Sequence, residues 1–145
     1  MIPKAFALAA EAFIDIEDQG GVPHILNSIE IYNAVKYKPE FVQVAGILHD
    51  IVSRTSWTYE DLSKHDISDD TLELIELVNP KGEIHQFVER ASHNRFACHI
   101  CLANLRYHME LSQRVYLDTQ DLNRIQQLSN TYQLFKHALV EFHYD

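Results

Sequence analysis

Glycine and proline are scarce in this chain, four of each in 145 residues, so it lacks the frequent turn punctuation of a sandwich, barrel or other all-β protein. Cysteine is scarcer still. Cys98 and Cys101 are too few for a disulfide scaffold and fit a reducing compartment. They lie three apart in FACHICLANL, but no second CxxC supplies the four ligands zinc normally takes, and the pair reads as helix packing. No run approaches the roughly 18 to 20 uninterrupted apolar residues of a membrane span. The N-terminus, MIPKAFALAAEAFIDIED, turns acidic where a signal peptide would present its cleavage site, so the expected location is cytoplasmic, with no membrane partner. Positive charge is also short. Twelve Lys and Arg face 21 Asp and Glu, a net charge of -9 that opposes counterion-release binding to phosphates and excludes nucleic acid as an expected partner. An anionic small molecule stays open, because a few local basic groups or a bound divalent cation reverse the field inside a pocket.

What is present is helical periodicity. With 46% hydrophobic residues, a chain of this length buries roughly two-thirds of its unfolded surface, and one domain over residues 1–145 is expected. Apolar residues recur at three- and four-residue spacing, without sustained strand alternation. The pattern predicts a first helix over Pro3 to Asp18, with Phe6, Ala9, Ala10, Phe13 and Ile14 on one face, ending in Gln19-Gly20-Gly21. A second runs from Pro23 to Tyr37 and a third from Pro39 to His49-Asp50, where the polar stretch Ser53 to Ser56 breaks the period. Thr58-Tyr-Glu-Asp61 starts a short helix, and Ser68 caps another through Val78. Beyond the turn Asn79-Pro80-Lys81-Gly82, helices are expected over Glu83 to His93, Phe96 to Leu111 and Thr119 to Phe142. The fold class is all-α, a compact helical bundle.

An HD dipeptide at the end of an apolar helix says little alone, but its context is specific. VAGILHDIVSRTSWTYEDL, HDISDDTLELIELVNP, EIHQFVERA and HICLANLRYHMELS follow one another in order. Upstream lies FALAAEAFIDIEDQGGVPHILNSIEIY. From about Ala7 to Ser112 these blocks resemble the HD-domain metal-dependent phosphohydrolases, closest to the small hydrolases of alarmones (guanosine polyphosphates). There the matching text reads close to LHDVVEDTDWTLEDL, VKLADLRHNLDLS and, upstream, GRPYILHPLRVA. The resemblance implies an HD helical bundle. It also implies a divalent metal, usually manganese, held by two histidines, the HD aspartate and a later aspartate, with a Glu-Asp pair that positions and activates water for attack on phosphorus.

Carried over residue by residue, this pattern is half replaced. His49 and Asp50 keep the HD metal positions. The first metal histidine falls on Asn27, with His24 on the preceding tyrosine, and the last metal aspartate falls on Asn104. The water-handling Glu-Asp falls on Ser53 and Arg54. His24 lies three residues before Asn27 and is a candidate replacement ligand. Arg54 brings a positive charge suited to an anion, predicted to turn inwards towards His49 and Asp50. His108, one turn beyond Asn104, corresponds to an asparagine of the hydrolase site and is a candidate ligand-binding residue.

The expected function is a catalytically inactive HD domain that binds a nucleotide or another anionic small molecule, or a protein partner. The alternative is an active metal-dependent phosphohydrolase of guanosine polyphosphates or other nucleotides, rebuilt on His24, His49 and Asp50. No cofactor is expected beyond a weakly bound divalent metal such as manganese. His65, His85, His137 and His143 are read as solvated, and Phe87, Phe96, Tyr107, Tyr116, Tyr132, Phe135 and Phe142 as packing.

Overall fold

Proline near the start of a helix costs no hydrogen bond, since the first N–H groups have no acceptor, and Pro3 stands there in α1 (Ile2–Ala12). The structure, a computed structural model, describes residues 1–113 and 119–142, and the side chains of all of these except 113 and 119–121. Tyr116 and His143 thus lie outside the described residues. α1 buries Ala5, Leu8 and Ala9, with Phe13 just beyond its end. It stops short of the predicted Asp18, because Glu17–Asp18 (β1) pairs antiparallel with Val22–Pro23 (β2) around a turn at Gln19–Gly21. Gly20 and Gly21 take φ values of 80° and 77°, the left-handed region that strains any side chain, and this permits so short a reversal. Ile14, expected on the buried face of the helix, falls after its end and is 79% exposed. Pro23, read as a first-turn residue, belongs to the ribbon, and α2 follows over Ile25–Val35.

The third helix, α3 (Glu40–Leu48), is apolar on nearly every side and therefore central: Val42, Val44, Ala45, Gly46, Ile47 and Leu48 are all buried. It is followed by α4 (Ile51–Arg54), one turn that runs into the predicted polar break at Ser53, then α5 (Tyr59–Lys64) and α6 (Asp69–Val78). Helices α1, α2 and α6 pack on α3. Gly46 sets the spacing of α2 and α3, since a Cβ there would lie 3.0 Å from Ile31 Cγ2 and 3.1 Å from Val35 Cγ2. Two hydroxyls fix the register: Ser28 Oγ donates to the Ile47 carbonyl at 2.8 Å and Thr71 Oγ1 to the Phe41 carbonyl at 3.3 Å. The caps expected from sequence are formed. Thr58 and Asp61 make a reciprocal capping box on α5, and Ser68 caps α6.

Residues 1–79 form one compact unit and residues 80–145 a second. The second holds α7 (Ile84–Ser92), α8 (Arg95–Gln113) and α9 (Thr119–Glu141), each packed on the other two. Phe87 of α7 meets Phe135 of α9 edge to face, 5.7 Å between ring centres. Asn94 Oδ1 accepts from the Phe96 and Ala97 N–H groups and so caps α8. Cys98 and Cys101 are buried on α8, and burial pushes the Cys98 thiol up to about 11 and that of Cys101 higher still, leaving both unreactive at neutral pH. Among the described residues β1 and β2 are the only strands, and the chain is all-α as expected. No described helix is long and apolar enough to cross a membrane.

Candidate functional site

The apolar helix α3 carries the HD dipeptide inwards at its C-terminal end. His49 is 4% exposed, and its Nδ1–H donates to the Gly46 carbonyl at 3.0 Å, one turn back. That bond orients the ring and turns Nε2 towards Asp50. His49 Nε2 is buried with no hydrogen-bond partner and lies 3.8 Å from Asp50 Oδ2; Asp50 Oδ1 is likewise buried without one.

The other carboxylate oxygen of Asp50 is taken. His24, fully buried under the edge of the Phe13 ring, donates from Nε2 to Asp50 Oδ2 at 2.6 Å and from Nδ1 to both oxygens of Asp18 at 2.8 Å. A neutral imidazole has one N–H and would turn a lone pair on one of these carboxylates, so both nitrogens carry a proton and His24 is an imidazolium. Burial acts to lower its pKa, but the hydrogen bonds and charges of Asp50 and Asp18 outweigh it and hold the pKa above the ordinary histidine value. Burial likewise acts to raise the Asp50 carboxyl, and His49, the His24 bond and charge, and Arg54 together bring it down to about 2. The short ribbon brings Asp18 and His24 side by side, with a backbone bond from His24 N–H to the Ile16 carbonyl at 2.9 Å.

Arg54 completes the group. Its Nη1 donates to Asp18 Oδ1 at 3.2 Å and its Nη2 to the Glu17 carbonyl at 3.4 Å, with a third of the side chain exposed. The guanidinium, expected to turn towards His49 and Asp50, hydrogen-bonds to the ribbon and to neither of them, while its charge still acts on the Asp50 carboxylate. Ser53 is exposed and donates to the Asp50 carbonyl at 3.1 Å. Asn27 is fully buried in the first turn of α2. Asn104 and His108 are half-buried on α8, in the other compact unit, where the His108 and Tyr107 rings meet at 5.2 Å. His65, His85 and His137 are exposed, as expected. Sequence reasoning missed Asp18, placed at the end of a helix; the signal was its position one side of Gly20-Gly21, with His24 on the other.

A divalent ion held by the two histidines, the HD aspartate and a later aspartate is what the resemblance implies, and the residues present do not fit it. Among the described residues no three His, Cys, Asp or Glu side chains are arranged to hold a metal. His24 and Asp50 are hydrogen-bonded at 2.6 Å, which leaves no space for an ion between them. Asp18 is committed to His24 and Arg54. Asn27 and Asn104 are neutral amides where the family pattern has an imidazole and a carboxylate. What remains is His49 Nε2 and Asp50 Oδ1, two acceptors beside two fixed cations, too few for a hard ion that prefers several anionic oxygens.

No family model matches the sequence, and none of the curated proteins matches it. The fold does have a match among solved structures. A metazoan ortholog of SpoT, which hydrolyzes ppGpp and plays a role in starvation responses, superposes with a TM-score of 0.78 at 18% identity, over 97% of this chain and 92% of that chain. The chain thus shares the fold of that protein, in line with the resemblance read from its sequence blocks.

Proposed function

We propose that this chain is an HD-fold protein that has lost phosphate hydrolysis and serves as a binding module, for a nucleotide or other small anion or for a protein partner. The observation that carries the reading is the fate of the two positions that would handle water. Ser53 is tied to the backbone of Asp50, and Arg54 is tied to Asp18 and Glu17. Neither residue can take a proton from water at neutral pH, and positioned acid-base groups contribute about a hundred- to ten-thousand-fold each. A fold likeness does not restore them.

The test is direct. Purified protein incubated with ppGpp and manganese, with a known hydrolase as control and products separated by anion-exchange chromatography, is expected to release no pyrophosphate above background. Turnover near about 1 per second, within the ordinary enzyme range, would overturn the reading. A second reading, an active phosphohydrolase rebuilt on His24, His49 and Asp50, draws on the approach of His24 to Asp50 and on the bare His49 Nε2. The same assay decides between them.

A further inference from the structure

We propose that the His24 ring stands in for the metal ion that the resemblance implies, joining Asp18, His24, Asp50 and Arg54 into a hydrogen-bonded clamp that holds the ribbon to the α3–α4 junction and shuts out divalent cations. This goes beyond the loss of hydrolysis, because a chain without water-activating carboxylates can still carry an ion.

Three observations carry it. The first is charge. Two carboxylates, Asp18 and Asp50, with side chains 3% and 14% exposed, are answered inside the group by one imidazolium and one guanidinium. A bare cluster of acids would need an external cation; this one supplies its own. The second is reach. The bonds from His24 to Asp50 and from Arg54 to Asp18 span 26 and 36 positions of sequence, so the group ties distant segments together as a bound ion would. The third is occupancy. His24 fills Asp50 Oδ2 with an N–H at 2.6 Å and has its other nitrogen anchored at 2.8 Å to both oxygens of Asp18, so the ring is held from two sides. An arriving ion would have to break these charge-assisted bonds and sit next to two cations.

The experiment uses the whole chain purified without chelator. Elemental analysis after gel filtration, calorimetric titration with manganese chloride, and the melting temperature with manganese or with EDTA are measured together. The expected result is well under one metal ion per chain, no heat of binding, and a melting temperature unchanged to within about 1 °C by millimolar manganese or by EDTA. Near-stoichiometric manganese retained through gel filtration, or a melting temperature that rises with manganese and falls with EDTA, would overturn the proposal. The His24→Gln variant reads the same claim from the other side. Loss of the His24 ring should lower the melting temperature and leave Arg54 as the one cation bonded to the two carboxylates, so that manganese now raises it. A His24→Gln protein as stable as the parent and still indifferent to manganese would sink the clamp. If that variant does not fold, the clamp is supported, and the parent protein's metal content still decides whether it has replaced the ion. Absent ppGpp hydrolysis together with bound manganese would refute this inference alone, leaving the proposed function standing.

Discussion

His24 Nε2 donates to Asp50 Oδ2 across 2.6 Å, although the two residues belong to elements 26 positions apart and one of them stands at a site where alarmone hydrolases have a tyrosine in the matching block. The contact converts the HD aspartate from a ligand waiting for a metal into the partner of an internal cation. The chemistry left at this end of α3 follows from it.

The pair makes stability depend on pH at both ends. His49, His24 and Arg54 hold the Asp50 carboxyl down at about 2, below the ordinary carboxylate range, so its contribution, about 2 kcal/mol, is present above about pH 4 and is lost as the pH falls through the folded value. His24 is raised above 6.5, so its contribution is fully present below that value and is lost as the pH rises through the higher folded pKa. Melting temperature against pH should therefore decline on the alkaline side and again in acid. His24→Gln should flatten the alkaline decline and Asp50→Asn the acid one. Unchanged profiles in both variants would show that the pair does not carry the dependence.

Arg54 and its partner Asp18 should differ in weight. Arg54 is partly solvated, and Arg54→Ala should cost under about 1 kcal/mol in urea denaturation, as exposed ion pairs do. Asp18 is almost wholly buried, and Asp18→Asn leaves a buried imidazolium with one carboxylate, a loss expected to reach about 3 kcal/mol. Equal costs would contradict the geometry.

Much of the fold was legible in the sequence because its devices are local. The Pro39 start of α3, the Thr58–Asp61 box and the Ser68 cap each act within one helical turn, and the apolar period of α3 and α6 marks their buried faces. The β1–β2 ribbon was not legible, since two-residue strands have no period, and it cut the first helix short. The site divides in the same way. His49 and Asp50 stand in a motif, and His24 stood out by its spacing from Asn27. Asp18 and the true partner of Arg54 depend on pairing across 6 and 36 positions, which no local pattern encodes. For Asn104 and His108 the family resemblance supplied the assignment, and α8 adds only their helical spacing.

Gly46 couples packing to the site. A methyl group there meets Ile31 and Val35 at 3.0 and 3.1 Å, closer than ordinary contact, while the Gly46 carbonyl holds His49. Gly46→Ala should destabilise by about 1 to 3 kcal/mol, the usual cost of overpacking a core, and should shift the His49 ring resonances in NMR spectra. A neutral substitution would mean that α2 and α3 separate easily.

The last prediction concerns what keeps a metal out. If missing ligands were the whole cause, Asn27→His, Ser53→Glu, Arg54→Asp and Asn104→Asp together would rebuild the family pattern and manganese would bind. In the parent fold, however, His24 holds Asp50 Oδ2, and that N–H would still stand in the way. The fourfold variant is therefore expected to bind manganese weakly, and a fivefold variant that also carries His24→Tyr, the residue of the matching family block, to bind at least about tenfold more tightly, about 1.4 kcal/mol. Ligands of one ion act as a unit, so none of the single changes should suffice. Titration calorimetry on both variants, with circular dichroism to confirm that each is folded, separates the causes. Tight manganese binding by the fourfold variant would show that His24 yields readily and is no barrier. Failure of a folded fivefold variant to bind would show that the carried-over positions do not converge on one ion.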